Sequence, residues 1–296
     1  MTNQLSTTIA QYDRVSDLAD RFDALILDLW GVVMDGSHAY AGAPECLAEL
    51  HARGKTVILL SNAPRREQAV VERLAGMGIE HALYDRIVTS GEASRMALET
   101  RDDPAFAEMG RRFLYIGPTK DADLLAGLDY AAAAVEEADF ILNTGIVDDD
   151  DPLDKYDALL RAAAARGLPM VCTNPDRVVV RHSGQRVLCA GALAEFYETM
   201  DGVAHYFGKP YGGVYQVCFD LLDGTDPARV LAVGDTLETD IAGAQAFGLK
   251  TVLVQGGVLA EPLGIDWGAS APPDRLEKLC NEHGVTPDMA IPALVW

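Results

Sequence analysis

The sequence predicts an α/β protein: a parallel-sheet core interrupted by a second α/β domain. Short apolar runs alternate with longer amphipathic stretches, which is the rhythm of βαβ units and hence of a parallel sheet. The rhythm restarts in the middle of the chain and resumes near its end, so the middle reads as an insertion. The length of 296 residues leaves room for two domains, because single cores stop growing near about 250–300 residues.

Taken in order, Ala24–Leu27 is the first strand, and Pro44–Ala52 is a helix with Cys46, Leu47 and Leu50 on one face and Gly54 at its C-terminal stop. Thr56–Leu60 is the second strand, Arg65–Ala75 the next helix, stopped by Gly76 and Gly78, and Arg86–Val88 the third strand. A fresh βα series follows, with strands at Phe113–Ile116, Phe140–Leu142 and Met170–Cys172 and helices near Asp121–Gly127 and Lys155–Arg166. Val178–His182 and Arg186–Cys189 read as a hairpin turned by Ser183-Gly184-Gln185. After His205 come a helix at Tyr215–Leu222 and strands at Val230–Val233 and Thr251–Val254. Residues 92–204 are therefore read as the inserted domain, and residues 1–91 and 205–296 as the core.

Composition narrows the function. A net charge of −21 without a Lys/Arg cluster argues against nucleic acid and anionic membranes as partners. Five scattered cysteines (Cys46, Cys172, Cys189, Cys218, Cys280) form no C-x-x-C pair, which argues against a disulfide framework or a zinc site and fits a reducing cytoplasm. Residues 1–23 are polar and no apolar run reaches about 18 residues, so a soluble, cytoplasmic protein without a membrane anchor is expected. The apolar Ala290–Trp296 segment is too hydrophobic for a free tail. It is read as packing on the core or on a partner, which leaves a homo-oligomer open.

In a parallel sheet, the loops at the C-terminal ends of the strands meet on one edge, where ligands bind. Four such loops carry chemistry. Asp28 ends the first strand in Ala24-Leu25-Ile26-Leu27-Asp28-Leu29-Trp30-Gly31, and Ser61-Asn62 ends the second. Gly208-Lys209-Pro210 precedes a helix, and Gly234-Asp235-Thr236-Leu237-Glu238-Thr239-Asp240 follows a later strand. Carboxylates from two strands suit magnesium, which takes oxygen ligands and shares phosphate oxygens. A lysine and a hydroxyl can neutralise phosphoryl charge. Each motif also has a plain structural reading as a turn or helix cap.

These motifs, in this order, resemble the haloacid dehalogenase-like (HAD) superfamily, over about Phe22–Gly256. The resemblance is narrowest to the branch with a large α/β cap, subfamily IIA, which includes NagD-like and 4-nitrophenylphosphatase-like enzymes; Arg86-Ile87-Val88-Thr89-Ser90 is similar to the strand preceding that cap. It implies a Rossmann-like core with an inserted cap that selects the substrate. By resemblance, Asp28 is the nucleophile that forms an aspartyl-phosphate. Ser61 and Asn62 hold the transferring phosphoryl group, and Lys209 pairs with nucleophile and phosphate. Asp235 and Asp240 position Mg2+, which also takes a carboxylate oxygen of Asp28 and the backbone carbonyl of Trp30.

The departure is Trp30. Phosphatases of this superfamily normally carry an aspartate there, which protonates the leaving oxygen and activates water, help worth roughly 10²–10⁴ in rate. Asp35 and His38 are candidate replacements, against the plainer reading of solvated loop residues. Trp30 itself either closes the site, stacks on a substrate ring or simply packs. The Asp148–Asp151 run reads as a solvated acidic loop, with a site for a cationic substrate group as the alternative. Thr173-Asn174-Pro175-Asp176 is similar to a Thr-Asn-x-Asp segment of the branch, and Arg177 and Arg181 are the nearest cations for a substrate anion.

The expected function is a magnesium-dependent hydrolase, a phosphatase of a small phosphorylated metabolite such as a sugar phosphate. The alternatives are a phosphotransferase or slow phosphatase, in which Trp30 protects the intermediate, and a degenerate module that binds a phosphorylated ligand without turnover.

Overall fold

The computed structural model describes residues 9–180 and 185–296. The chain divides into two compact units. One comprises Met1–Leu60, Arg73–Ile87 and Cys218–Trp296, the other Ser61–Glu72 and Val88–Val217. The second unit contains the whole of residues 92–204 and extends beyond them on both sides.

A seven-stranded sheet is built from β1 (Ala10–Gln11), β2 (Ala24–Asp28), β3 (Thr56–Ser61), β4 (Arg86–Thr89), β12 (Val230–Gly234), β13 (Lys250–Val254) and β14 (Met289–Ile291), in the order β1-β14-β13-β12-β2-β3-β4. The pairings β1–β14, β14–β13, β13–β12, β12–β2 and β2–β3 are all parallel. The central strands β2 and β12 are buried along their whole length, as expected of a parallel sheet covered on both faces. That burial explains why they read in the sequence as continuous apolar runs rather than as alternating ones.

The second unit holds a five-stranded parallel sheet of β5 (Arg112–Ile116), β6 (Ala131–Ala132), β7 (Phe140–Asn143), β8 (Met170–Cys172) and β11 (Ala204–Tyr206), in the order β11-β8-β7-β5-β6. Its two faces bury separate clusters, one around Ile141, Leu160 and Tyr197 and the other around Phe106, Phe140 and Val171. A two-stranded hairpin completes the unit, β9 (Val178–Val180) antiparallel to β10 (Arg186–Leu188). The expected turn at Ser183-Gly184, together with Arg181 and His182, lies outside the described residues.

The predicted α/β class and parallel core are therefore present, with local differences. The helix expected near Asp121–Gly127 is a single 3-10 turn, Thr119–Asp121, followed by further tight turns. The buried Arg95 guanidinium braces these turns, donating to the carbonyls of Leu124 and Ala126, both at 2.9 Å. The helix expected from Lys155 runs from Asp157 to Ala165 after a 3-10 turn at Leu153–Tyr156. The apolar C-terminus is the strand β14 plus a buried continuation, with Ala290, Ile291, Ala293 and Leu294 at most 1% exposed. It packs on its own sheet, the first of its two expected readings.

No helix among the described residues is long and apolar enough to cross a membrane. All five cysteines are buried and none is in a disulfide.

Candidate active site

In the first unit, β2 and β12 are adjacent and in register, with Val233 opposite Leu27, so each strand delivers an acid at the same sheet edge. Asp28 is the last residue of β2, and Asp235 directly follows β12. Asp240 lies in a one-turn π-helix, Leu237–Ile241, that leads into the helix Ala242–Ala246. The wide turn carries Asp240 back toward the strand end.

Asp28, Asp235 and Asp240 are all buried, and one carboxylate oxygen from each lies within 4.8 Å of the others. Three anions at that spacing repel unless a cation or a proton intervenes. The donor set consists of hard carboxylate oxygens, with neither sulfur nor imidazole, and it fits a divalent ion of the magnesium or calcium type.

Neighbouring backbone holds these acids in place. Val258 N–H donates to Asp235 Oδ2 at 2.7 Å. Thr236 donates to Asp240 Oδ2 through its N–H at 3.1 Å and also through its hydroxyl. Gly31 sits at φ +77°, and a β-carbon there would lie 1.8 Å from Asp235 Oδ2. A β-carbon on Gly257 would lie 2.2 Å from the same atom. The acid is thus enclosed by main chain that tolerates only glycine.

Trp30 has a packing role in this unit. The Arg73 guanidinium stands 5.4 Å from the centre of its ring, and a β-carbon on Gly36 would lie 2.1 Å from Cη2. Arg73 also donates to Gly36 O. Asp35 braces the same loop, its Oδ1 accepting from Ser37 N–H at 2.8 Å and His38 N–H at 2.7 Å. The His38 side chain is 78% exposed, and neither residue belongs to the carboxylate group.

Tyr40 escaped the sequence reading. Its ring stacks on Trp267 at 5.6 Å, and its phenol is pushed up by burial and by the nearby charges of Asp235 and Asp35. Only the fold brings a loop tyrosine within electrostatic reach of a carboxylate some 200 residues away.

The second unit presents the remaining predicted residues. Leu60 pairs with Asp28, and Ser61 is the next residue of the same strand. The Ser61 hydroxyl accepts from Ala63 N–H at 3.2 Å. The Asn62 amide brackets Lys209: Oδ1 accepts from Lys209 N–H at 2.7 Å, and Nδ2 donates to Lys209 O at 3.0 Å. Nδ2 also donates to Asp176 Oδ1 at 2.9 Å, so both amide hydrogens are engaged.

Lys209 is 4% exposed. A β-carbon on the preceding Gly208 would lie 2.6 Å from Asn62 Oδ1, which explains the glycine before the lysine. The Ser90 hydroxyl lies between neighbouring loops, donating its one proton to Thr173 O at 2.6 Å, with Ala63 O at 3.0 Å as the alternative acceptor.

The other candidates find local partners. Asp151 accepts from Lys155 at 2.6 Å and from Tyr156 at 2.7 Å, and Asp150 accepts from Gln185 at 2.8 Å, so these two acids of the run are engaged by neighbouring side chains. Arg177 pairs with Glu195 at 2.8 Å.

Comparison with known proteins decides the family. A sequence model of the haloacid dehalogenase-like hydrolases matches residues 25–131, and a HAD-hydrolase-like model matches residues 206–277. Human chronophin is 31% identical over 250 residues, which cover 82% of this chain and 84% of chronophin. The chain is a haloacid dehalogenase-like hydrolase.

Asp28 and Ser61 fall within the first HAD match, and Lys209, Asp235 and Asp240 within the second. The sugar-phosphatase AraL of Bacillus subtilis is 27% identical over 241 residues, covering 79% of this chain and 83% of AraL. A haloacid dehalogenase-like hydrolase from Brucella suis superposes with a TM-score of 0.80 at 33% identity, covering 95% of this chain and 99% of that one. The HAD fold accordingly spans nearly the whole chain.

Proposed function

We propose that this HAD hydrolase is a magnesium-dependent phosphatase that cleaves a small phosphorylated metabolite through a phosphoryl group carried on Asp28. The observation that carries the reading is Asp28 itself, a buried strand-end carboxylate with an oxygen within 4.8 Å of those of Asp235 and Asp240. A carboxylate held beside two others suits a nucleophile that shares a cation with the phosphoryl group it attacks. AraL is named a sugar-phosphatase, which supports sugar phosphates as the substrate class. In this reading residues 1–91 and 205–296 form the catalytic core and residues 92–204 the cap.

Asp28, Asp235, Asp240 and the Trp30 carbonyl would hold the magnesium ion, which would offset the charge of the phosphoryl oxygens. An Asp28 oxygen attacks phosphorus and the ester P–O bond breaks, with Ser61 and Lys209 stabilising the charge on the transferring group. Asn62 contributes by fixing the Lys209 main chain. Water then attacks the acyl-phosphate, inorganic phosphate departs and the Asp28 carboxylate is regenerated. Trp30 has no proton to give, so the leaving oxygen takes its proton from solvent, and esters of acidic alcohols turn over fastest.

The test is phosphate release from a panel of phosphomonoesters with and without magnesium. The reading expects release from 4-nitrophenyl phosphate that depends on magnesium. Its absence from every ester with magnesium present would overturn the phosphatase assignment.

Trp30, in place of the acid that would activate water, favours one second reading, a phosphotransferase. That reading expects phosphoryl-enzyme to accumulate and an added alcohol acceptor to discharge it faster than water does.

A further inference from the structure

The chain reaches Lys209 through a glycine. Gly208 lies at φ +122°, a conformation open to glycine and to few other residues, and glycine leaves the main chain around it free to pivot. The Lys209 side chain is long and buried, so a small rotation at Gly208 is carried out to its ammonium. Misplacing a reacting or stabilising group by about 1 Å costs on the order of 10²-fold in rate, so the lysine needs a brace from outside its own turn. Asn62 supplies it by spanning the Lys209 main chain, Oδ1 to the N–H and Nδ2 to the carbonyl.

The Asn62 amide is itself braced by a charged residue. Its other Nδ2 hydrogen goes to Asp176 Oδ1 at 2.9 Å, and Asn62 is buried, so without that carboxylate a buried donor would lose its acceptor and the amide would gain by turning away from Lys209. Asp176 stands on a loop held along its length. Its N–H donates to Asn174 Oδ1 at 2.9 Å, and its carbonyl accepts from Gly191 N–H at 3.1 Å in the helix Ala190–Glu198. At the start of the loop, Thr173 N–H donates to Asn143 O at 3.0 Å, and Thr173 O accepts from the Ser90 hydroxyl. A β-carbon on Gly191 would lie 2.1 Å from Pro175 O, and one on Gly208 would lie 2.6 Å from Pro175 Cδ as well as from Asn62 Oδ1. The loop after β8 is thus fixed, and it packs directly on the pivot before Lys209.

We infer that Asp176 is a positioning residue for Lys209, acting through the Asn62 amide. A carboxylate near a lysine that meets phosphate carries a penalty, because it repels the same anion, and a neutral acceptor would avoid it. What the charge adds is strength: a hydrogen bond to an ionised acceptor is roughly twice as strong as one between neutral groups. The arrangement therefore trades some attraction for the phosphoryl group for a fixed lysine. The inference rests on the phosphatase reading for the role of Lys209. It adds that the loop after β8, 114 residues from Asn62, sets the geometry of the phosphate-meeting cation.

The test is a double-mutant cycle read as kcat/KM for 4-nitrophenyl phosphate with magnesium. Asp176→Ala should lower it about 10- to 100-fold in the otherwise wild-type enzyme, and by no more than about twofold in Asn62→Ala, where no amide is left to hold. Asp176→Asn keeps an acceptor of about half the strength and should recover about half of the loss on a logarithmic scale. A residue needed only for folding would cost the same in both backgrounds. That result, an Asp176→Ala enzyme as active as wild type, or an Asp176→Asn enzyme as poor as Asp176→Ala would each overturn the inference. Should Asp176→Ala not fold, Asp176→Leu, which keeps the shape without the acceptor, takes its place in the same cycle. If the wild type releases no phosphate, the phosphatase reading has failed instead, and calorimetric titration with inorganic phosphate in the presence of magnesium decides the positioning role alone. Affinity lowered about tenfold or more by Asp176→Ala, but unchanged by it in Asn62→Ala, upholds the role. Equal weakening in both backgrounds, or no binding by the wild type, overturns it.

Discussion

The two parallel sheets end in opposite chemistry. At the edge of the seven-stranded sheet, Asp28, Asp235 and Asp240 gather negative charge, braced by glycine backbone and by the N–H groups of Val258 and Thr236. At the edge of the five-stranded sheet and the loop after β3 lies a buried cation, Lys209, with Asn62 bonded to its main chain on both sides and to the Asp176 carboxylate. The first edge fits a cation, and in the proposed function the Lys209 of the second meets the phosphoryl group. In a chain with a net charge of −21, positive charge for a phosphate would have to be supplied locally, which is the role the proposed function gives Lys209.

The largest expected effect breaks the first edge. Asp28→Asn should cut phosphate release by at least about 10³-fold while leaving thermal stability nearly unchanged, because a nucleophile has no substitute in the acid cluster. Next comes a dissociation between the edges. Magnesium at about 100 times its dissociation constant should stabilise the wild type by roughly 2.7 kcal/mol, as read by thermal unfolding. Asp235→Asn should abolish that stabilisation, whereas Lys209→Ala should keep it while losing most activity. A Lys209→Ala protein that no longer responds to magnesium would erase the distinction drawn between the two edges.

Gly31→Ala sharpens the same comparison. The left-handed backbone alone costs an alanine about 1–2 kcal/mol, and its β-carbon displaces Asp235. Magnesium-dependent stabilisation and activity should therefore fall together. Trp30→Asp should raise turnover of alkyl esters about tenfold and of aryl esters less, since an acid matters most for poor leaving groups. No gain would mean that another group already protonates the leaving oxygen.

The smallest effect concerns the outer strands. Burial alone would raise the Asp288 carboxyl, but the Lys250 ammonium and the Thr251 donors outweigh it and hold the group below its usual 3.8. A depressed carboxyl contributes stability above its unfolded pKa and loses it as pH falls through the lower folded value. Asp288→Asn should therefore cost about 1–2 kcal/mol at neutral pH, and the difference from wild type should shrink on acidification below pH 4, as followed by urea unfolding.

Much of this arrangement was legible in the residues. Continuous apolar runs ending in Asp28 or Gly234-Asp235 marked the central strands, because strands buried on both faces admit no polar alternation. The order of the motifs was enough to group Asp28, Asp235 and Asp240 before any coordinates. Less legible were side chains whose role is set by a distant partner. The Asn62 amide spends both hydrogens on Lys209 and Asp176, more than a hundred residues away, and no local pattern marks that. Tyr40 within electrostatic reach of Asp235 and Arg65 beside Asp121 are long-range meetings of the same kind.

The most direct test of the central claim is rapid acid quench of the magnesium-loaded enzyme during turnover of 4-nitrophenyl phosphate, with mass spectrometry to locate the phosphoryl group. The account predicts a phosphoryl group on Asp28 that forms and decays at rates matching phosphate release, and none in Asp28→Asn. Phosphate release by Asp28→Asn at the wild-type rate, with no phosphorylated aspartate in either protein, would contradict it.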